Sequence, residues 1–277
     1  MSGQRVARAV VLAAGIGSRL DNGAATPKPL KPVEGVPLLV RVLRTLQSGG
    51  IRQAVVVVGF EGERVRQALL SEPSLELELE LVQNPDYLRK NGVSLLSAAP
   101  FIDRECVLTM ADHLYSPELL HRLLADDLPD GTCALAVDYN IERCFDLEDA
   151  TKVLVSSHRI RRISKELEHY NAIDTGVFRI GPALLHELEQ LKSNNGDCSL
   201  SEGVQRLSCA GRFFACDIGD ARWIDVDTPL ALERAEAMIR VFGDALGEPS
   251  RSPEMPASTW ISAPPPFEDH FAAADPV

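Results

Sequence analysis

Residues 10–30 read VVLAAGIGSRLDNGAATPKPL, and the way this stretch changes character along its length sets the fold class. The apolar run Ala9 to Leu12 predicts a buried strand, and it empties into residues too small to hold a ligand away from the backbone: Ala13, Ala14 and Gly15. Gly15 and Gly17 are expected to adopt φ > 0, which lets successive N–H groups turn toward an anion. Arg19 and Lys28 follow, and both are long enough to reach phosphates held over such a loop. A glycine turn alone fits many strand-to-helix connections; with two cations just beyond it, this one reads as a triphosphate cradle. No Gly-Lys-Ser/Thr follows, so this is not a P-loop. Leu20 stands where a dinucleotide fingerprint needs its third glycine.

The 277-residue chain is long enough for one large α/β domain with a full core. A net charge of -12 argues against nonspecific binding to nucleic acid or to an anionic membrane. It also means that a polyanionic substrate must be met by a local cationic site or a metal. The six cysteines contain no CxxC pair, which speaks against zinc. Without a signal peptide or a bilayer-length apolar run, a reduced cytoplasm is the expected compartment.

Strand and helix patterns alternate, as in a mixed, mostly parallel, Rossmann-like sheet flanked by helices. Leu38, Leu39, Val42, Leu43 and Leu46 recur at helical spacing before Gly49-Gly50. Further strands are expected at Ala54 to Val58, Leu75 to Leu81 (leucines alternating with glutamates), Cys106 to Met110, Cys133 to Val137, Lys152 to Val155 and Val177 to Ile180. Ser116 should cap a helix opening with Pro117. Ser199 and Glu202 form a capping-box pattern, and Thr228-Pro229 opens a last helix running to about Phe242. This places one folded domain over residues 1–246. Residues 247–277, rich in Pro and Ser and without period, read as a poorly ordered tail. Its Trp260, Ile261 and Phe267 could dock on a partner or on a neighbouring subunit of a homo-oligomer.

Three further segments can carry chemistry. In LTMADHLY, Asp112 and His113 stand just past the carboxyl end of a strand, the edge where open α/β sheets bind ligands. In ARWIDVDTPLALERA, Asp225 and Asp227 are expected to point to opposite faces, so that at most one shares a metal with Asp112 unless the backbone bends. Asp227 could instead brace the turn before Thr228. In SKELEHYNAIDTGVF, Lys165 precedes a turn and Asp174 precedes a Thr-Gly leading into a strand; Tyr170 and Asn171 either line a pocket or shape that turn.

The ordered set LAAGIGSRL, PKPL and PVEGVPLL resembles the nucleotidyltransferases that join an NTP to a sugar phosphate or related phosphate. With NGVSLLSAAPF, LTMADHLYSPELL, DATKVLV and KELEHYNAIDTGVF, the chain from Arg8 to about Met238 is similar to the inositol-1-phosphate cytidylyltransferase branch. That resemblance implies the nucleotide-diphospho-sugar transferase fold. It further implies that Leu12, Ala13, Ala14, Gly15 and Gly17 hold the nucleotide, with Gln83, Gly92 and Ser94 as candidates near the base. Arg19 and Lys28 would neutralise the triphosphate, Asp112 and Asp225 would bind Mg²⁺ with Asp227 as a third candidate, and Lys165 and Asp174 would hold the acceptor. Some relatives of that branch carry a second, membrane-embedded transferase domain; this chain shows none, so its product is expected to enter solution.

The implied reaction is attack of a phosphate-monoester oxygen on the α-phosphorus of CTP with loss of pyrophosphate. The nucleophile is anionic near neutral pH, so positioning and charge neutralisation suffice, and His113 is expected to serve a structural hydrogen bond rather than acid–base work. Another acceptor (a sugar or cyclitol phosphate, a phosphonate, phosphocholine) remains open. Choline is disfavoured by an aromatic content of 5% with little beyond Tyr170 and Phe178 near the acceptor segment. A non-catalytic nucleotide sensor is the rival of another class.

Overall fold

The computed structural model describes residues 6–20, 26–125 and 127–247. The tail with Trp260, Ile261 and Phe267, and residues 21–25 of the opening motif, lie outside the described residues. In chain order the strands are β1 (Arg8–Ala13), β2 (Pro32–Val33), β3 (Val36–Pro37), β4 (Gln53–Val58), β5 (Glu78–Gln83), β6 (Cys106–Met110), β7 (His113–Tyr115), β8 (Cys133–Asp138), β9 (Lys152–Ser156), β10 (Arg159–Ser164), β11 (Ala172–Ile180), β12 (Phe213–Asp217) and β13 (Trp223–Asp225). The helices are α1 (Leu38–Ser48), α2 (Gly62–Leu70), α3 (Asn91–Ser97), α4 (Pro117–Leu123), α5 (Pro182–Asn195), α6 (Leu200–Cys209) and α7 (Pro229–Phe242).

Nine strands form one sheet in the order β5-β4-β1-β6-β11-β8-β12-β10-β9. β11 runs against β6 and β8, and β10 against β12 and β9, while β5, β4, β1 and β6 are mutually parallel. β8 and β12 also pair in parallel. So β11 and β10 alone run against the other seven strands, and the sheet is mixed with most strands in one direction, as expected. Central strands read as continuous apolar runs because both of their faces are covered. Successive side chains of β1 and β4 part company accordingly: Ala9, Val11, Ala54 and Val56 join the core that includes α1, α4 and α7, whereas Val10, Leu12, Val55 and Val57 join the core that includes α3, α5 and α6.

Several boundaries depart from the sequence reading. The Leu75-to-Leu81 strand begins only at Glu78, because the chain after Pro73 turns before it reaches the sheet edge beside β4. The Val177-to-Ile180 strand starts back at Ala172, so Asp174 lies within β11 rather than ahead of it. Ser116 occupies the N-cap position of α4, but its hydroxyl accepts from the Arg222 N–H at 3.3 Å instead of capping the helix. The capping box of Ser199 and Glu202 forms, and the Thr228 hydroxyl accepts from the Ala231 N–H, leaving Asp227 free of that duty. No helix among the described residues is long and apolar enough to cross a membrane.

The carboxyl ends of β1 and β6 lie side by side. From β1 the chain goes outward to β4 and β5 on one side and returns through β6 on the other, so their shared end is a topological switch point, where open α/β sheets bind ligands.

Candidate active site

The loop after β1 turns as a cradle, with one correction. Gly17 has φ +71°, whereas Gly15 is not left-handed. A Cβ at Gly17 would lie 2.4 Å from Cβ of Lys28, while one at Gly15 would meet nothing within 4 Å. Gly17 is thus required by the lysine stem packed against it, and Gly15 leaves open space over the loop. Leu20 is buried in the core, which accounts for an apolar residue where a dinucleotide loop has glycine.

Lys28 opens a single 3-10 turn (Lys28–Leu30) and is buried, with only 8% of its side chain exposed. Its ammonium donates to Asp112 at 2.5 Å and to Asp227. Burial works against its charge, but Asp112, Asp227 and Asp225 outweigh that and raise its pKa, so it stays protonated. Arg19 donates to Asp149 at 2.5 Å and to Asp227.

Asp225 reaches the site because β13 pairs with β7 and sets it opposite His113. The Val226 N–H also donates to the Asp112 carbonyl at 3.0 Å. The expectation that Asp225 and Asp227 face opposite ways is wrong: residues two apart on an extended chain share a side. Val226 between them is buried, and both carboxylates line the cleft. They differ in partner instead. Asp225 joins Asp112 and His113, with one ligating atom from each lying within 4.8 Å of the others, whereas Asp227 takes Lys28 and Arg19.

His113 Nδ1 bonds to Asp112 at 2.8 Å, the structural role expected of it. Burial would lower its pKa, but Asp225, Asp112 and Asp174 raise it to about 9. Burial works to raise the Asp112 carboxyl too, yet Lys28 and His113 hold it far below the usual range. Asp225 goes the other way, up to about 6, through burial and through repulsion from Asp112 and Asp227 that His113 only partly offsets. Its Oδ1 is buried without a hydrogen-bond partner.

Gly176 fixes the histidine. Its φ is +74°, and a Cβ there would lie 2.3 Å from the His113 ring. Gly176→Ala should therefore cost at least about 1–2 kcal/mol from the left-handed backbone alone, read as a drop in the urea midpoint, together with reduced activity as the ring is pushed off Asp112. A wild-type midpoint and wild-type activity would refute this account of the turn.

Beyond this cluster Lys165, just after β10, bonds to Asp149 at 2.8 Å. Asp174 accepts from the Gly176 N–H at 2.7 Å, and burial raises its carboxyl to about 6. One cavity of about 710 Å³ is lined by Leu12, Ala14, Gly15, Ser94, Asp112, Lys165, Asp174, Asp225 and Asp227. A second hollow adjoins it over Ala13, Gly17, Arg19 and Lys28. The structure thus brings together most of the residues singled out in the sequence. Gln83 and Gly92 are not among the lining residues: Gln83 donates to the Gly59 carbonyl at 3.1 Å, and Gly92 packs on the Cys198 carbonyl. Asn171 shapes its turn, bonding both ways to the Val155 backbone.

Sequence reasoning passed over Asp149, although DATKVLV begins with it; an acidic residue in a polar loop carries no local sign of its partners. It also missed the aromatic lining. Phe145, Trp223 and Phe242 join Phe178 in the cleft wall, brought there from distant segments. They do not form an open cage: Arg234 lies 6.0 Å from the Phe145 ring and Arg222 lies 3.8 Å over Phe242.

Residues 9–207 match the family model of the MobA-like NTP transferase domain. The chain belongs to that family. It is 38% identical over 243 residues to a bifunctional IPC transferase and DIPP synthase of Rubrobacter xylanophilus, covering 86% of this chain and 53% of that protein. It is 33% identical over 236 residues to a CMP-5'-(3-aminopropyl)phosphonate synthase of Streptomyces rubellomurinus, covering 80% of this chain and 37% of that one. The chain thus spans about half the length of the first of these relatives and less of the second. Among solved structures, the inositol-1-phosphate CTP transferase from T. maritima superposes with a TM-score of 0.76 at 27% identity, covering 86% of this chain and 97% of that one. The NTP-transferase fold of the chain is accordingly that of the nucleotide-diphospho-sugar transferases.

Proposed function

We propose that this NTP transferase is a Mg²⁺-dependent cytidylyltransferase that joins CTP and inositol 1-phosphate, releasing pyrophosphate. The observation that carries the reading is the single cleft that runs from the glycine loop past Asp112 and Asp225 to Lys165 and Asp174. It puts Gly15 of the glycine loop, the carboxylates of Asp112 and Asp225, and Lys165 in one cavity, with Arg19 and Lys28 in the hollow that adjoins it. The inositol-1-phosphate CTP transferase and IPC transferase relatives favour this donor and acceptor.

Two carboxylate oxygens at this spacing, one of them buried without a hydrogen bond, suit a hard divalent cation better than His113, which is engaged with Asp112. Mg²⁺ held by Asp112 and Asp225 would neutralise phosphate charge. Lys28 and Arg19 would bind the triphosphate and oppose the charge that develops at the α-phosphorus. Lys165 would hold the acceptor phosphate, and Asp174 would accept hydrogen bonds from acceptor hydroxyls. No proton has to be removed from the nucleophile, so the site needs order more than acid–base power. Cytoplasmic residence fits the six unpaired cysteines.

A second reading, a phosphonate acceptor, is favoured by the Streptomyces relative. Pyrophosphate release should be measured with CTP, UTP, GTP, ATP and dTTP against inositol 1-phosphate, 2-aminoethylphosphonate, phosphocholine and glucose 1-phosphate. Turnover confined to CTP with inositol 1-phosphate is expected. Turnover with the phosphonate alone would replace the acceptor, and silence with every pair would favour a nucleotide sensor.

A further inference from the structure

Asp149 lies in the loop between β8 and β9, outside every role assigned above, yet it touches the key cation of each substrate's half of the cleft. One of its oxygens accepts from Nη1 of Arg19 at 2.5 Å and the other accepts from Nζ of Lys165 at 2.8 Å. Arg19 is 130 residues away in sequence and Lys165 is 16. The loop that carries Asp149 closes a turn on itself, with the Ala150 N–H donating to the Asp146 carbonyl at 3.0 Å, and is tied to β11 where the Asp174 N–H donates to the Thr151 carbonyl at 2.9 Å.

We propose that Asp149 is a positioning residue that holds the nucleotide-side cation and the acceptor-side cation at a set separation, an inference that rests on the functional reading above. A triphosphate and a phosphate monoester repel one another, yet the attacking oxygen must come to about 3–3.5 Å from the α-phosphorus, in line with the leaving group. Two cations tethered to opposite oxygens of one carboxylate are held as near neighbours and cannot drift apart independently. Each keeps donors in reserve, since a guanidinium has five N–H groups and an ammonium three. Arg19 and Lys165 can therefore hold Asp149 and a phosphate at once. The side chains of Arg19, Lys165 and Asp149 are 52%, 49% and 34% exposed, and ion pairs so exposed contribute little to folding. Stability does not explain the arrangement.

Asp149→Asn tests this. The amide keeps the shape and one acceptor oxygen, but its NH₂ cannot accept from the second cation. With CTP, inositol 1-phosphate and Mg²⁺, kcat should fall by roughly ten- to a hundredfold, with both KM values and the melting temperature little changed. Asp149→Glu, which retains both oxygens on a longer stem, should recover part of the loss. Wild-type kcat in Asp149→Asn, or raised KM values with kcat intact, would overturn the proposal. Those outcomes are distinct from a wild-type enzyme inactive on this pair, which would remove the functional reading and this inference together.

Discussion

Lys28→Met is expected to lower kcat by roughly a hundred- to a thousandfold, the usual effect of removing one preorganised charge contact at a reacting centre. The side chain reaches the site as a buried cation clamped by Asp112 and Asp227. Its charge is secured by those carboxylates and by Asp225 against the cost of burial, so it is fully present at neutral pH. Methionine keeps the stem that packs on Gly17 and removes only the charge, which separates chemistry from packing. The variant also leaves three carboxylates without their shared counter-ion. Its thermal stability should therefore respond more strongly to added Mg²⁺ than that of the wild type. Steady-state kinetics and melting curves at several Mg²⁺ concentrations test both halves. Near-normal turnover would remove Lys28 from the reacting centre.

Asp112→Ala and Asp225→Ala should each reduce turnover by a similar factor while the fold survives. Asp112 accepts from Lys28 on one oxygen and from His113 on the other, so its loss takes a hydrogen-bond partner from two cations at once. Asp225 has a buried oxygen with no hydrogen-bond partner, 3.7 Å from His113 Nδ1, which in the proposed enzyme would help to hold Mg²⁺. Chelation of the wild type should abolish activity and Mg²⁺ should restore it, whereas Asp225→Asn should require a higher Mg²⁺ concentration for half-maximal rate. Full activity of the chelated enzyme would exclude a metal role for the pair. Wild-type kinetics in both alanine variants would sink the proposed site.

The difference between those two residues shows what was legible beforehand. Asp112 follows an apolar run, and its placement at the end of a parallel strand follows from local pattern alone. Asp225 and Asp227 are recognisable as a pair, and the family resemblance sets Asp225 with Asp112. The pairing of Asp225 with His113 and of Asp227 with Lys28 and Arg19 is not readable, because an extended stretch of three residues does not say which strand it will meet. The antiparallel pairing of β13 with β7 makes that choice and sets Asp225 against His113. Gly176 is similar. Its glycine looks like an ordinary turn residue until the fold brings the His113 ring to within 2.3 Å of where a Cβ would stand.

By itself the sequence determined the class of fold and the chemistry available. Apolar periodicity, capping residues and small residues after a strand are local quantities, and each is written within a few residues of the element that it controls. Continuous apolar runs in β1 and β4 already required cover on both faces, hence a sheet between two helical layers. Only the tertiary structure decided which charges meet. Lys28 lies 84 residues from Asp112 and 199 from Asp227, and Arg19 lies 130 from Asp149. Ion pairing depends on separation in space, and separation along the chain carries no record of it until the sheet has set its strand order.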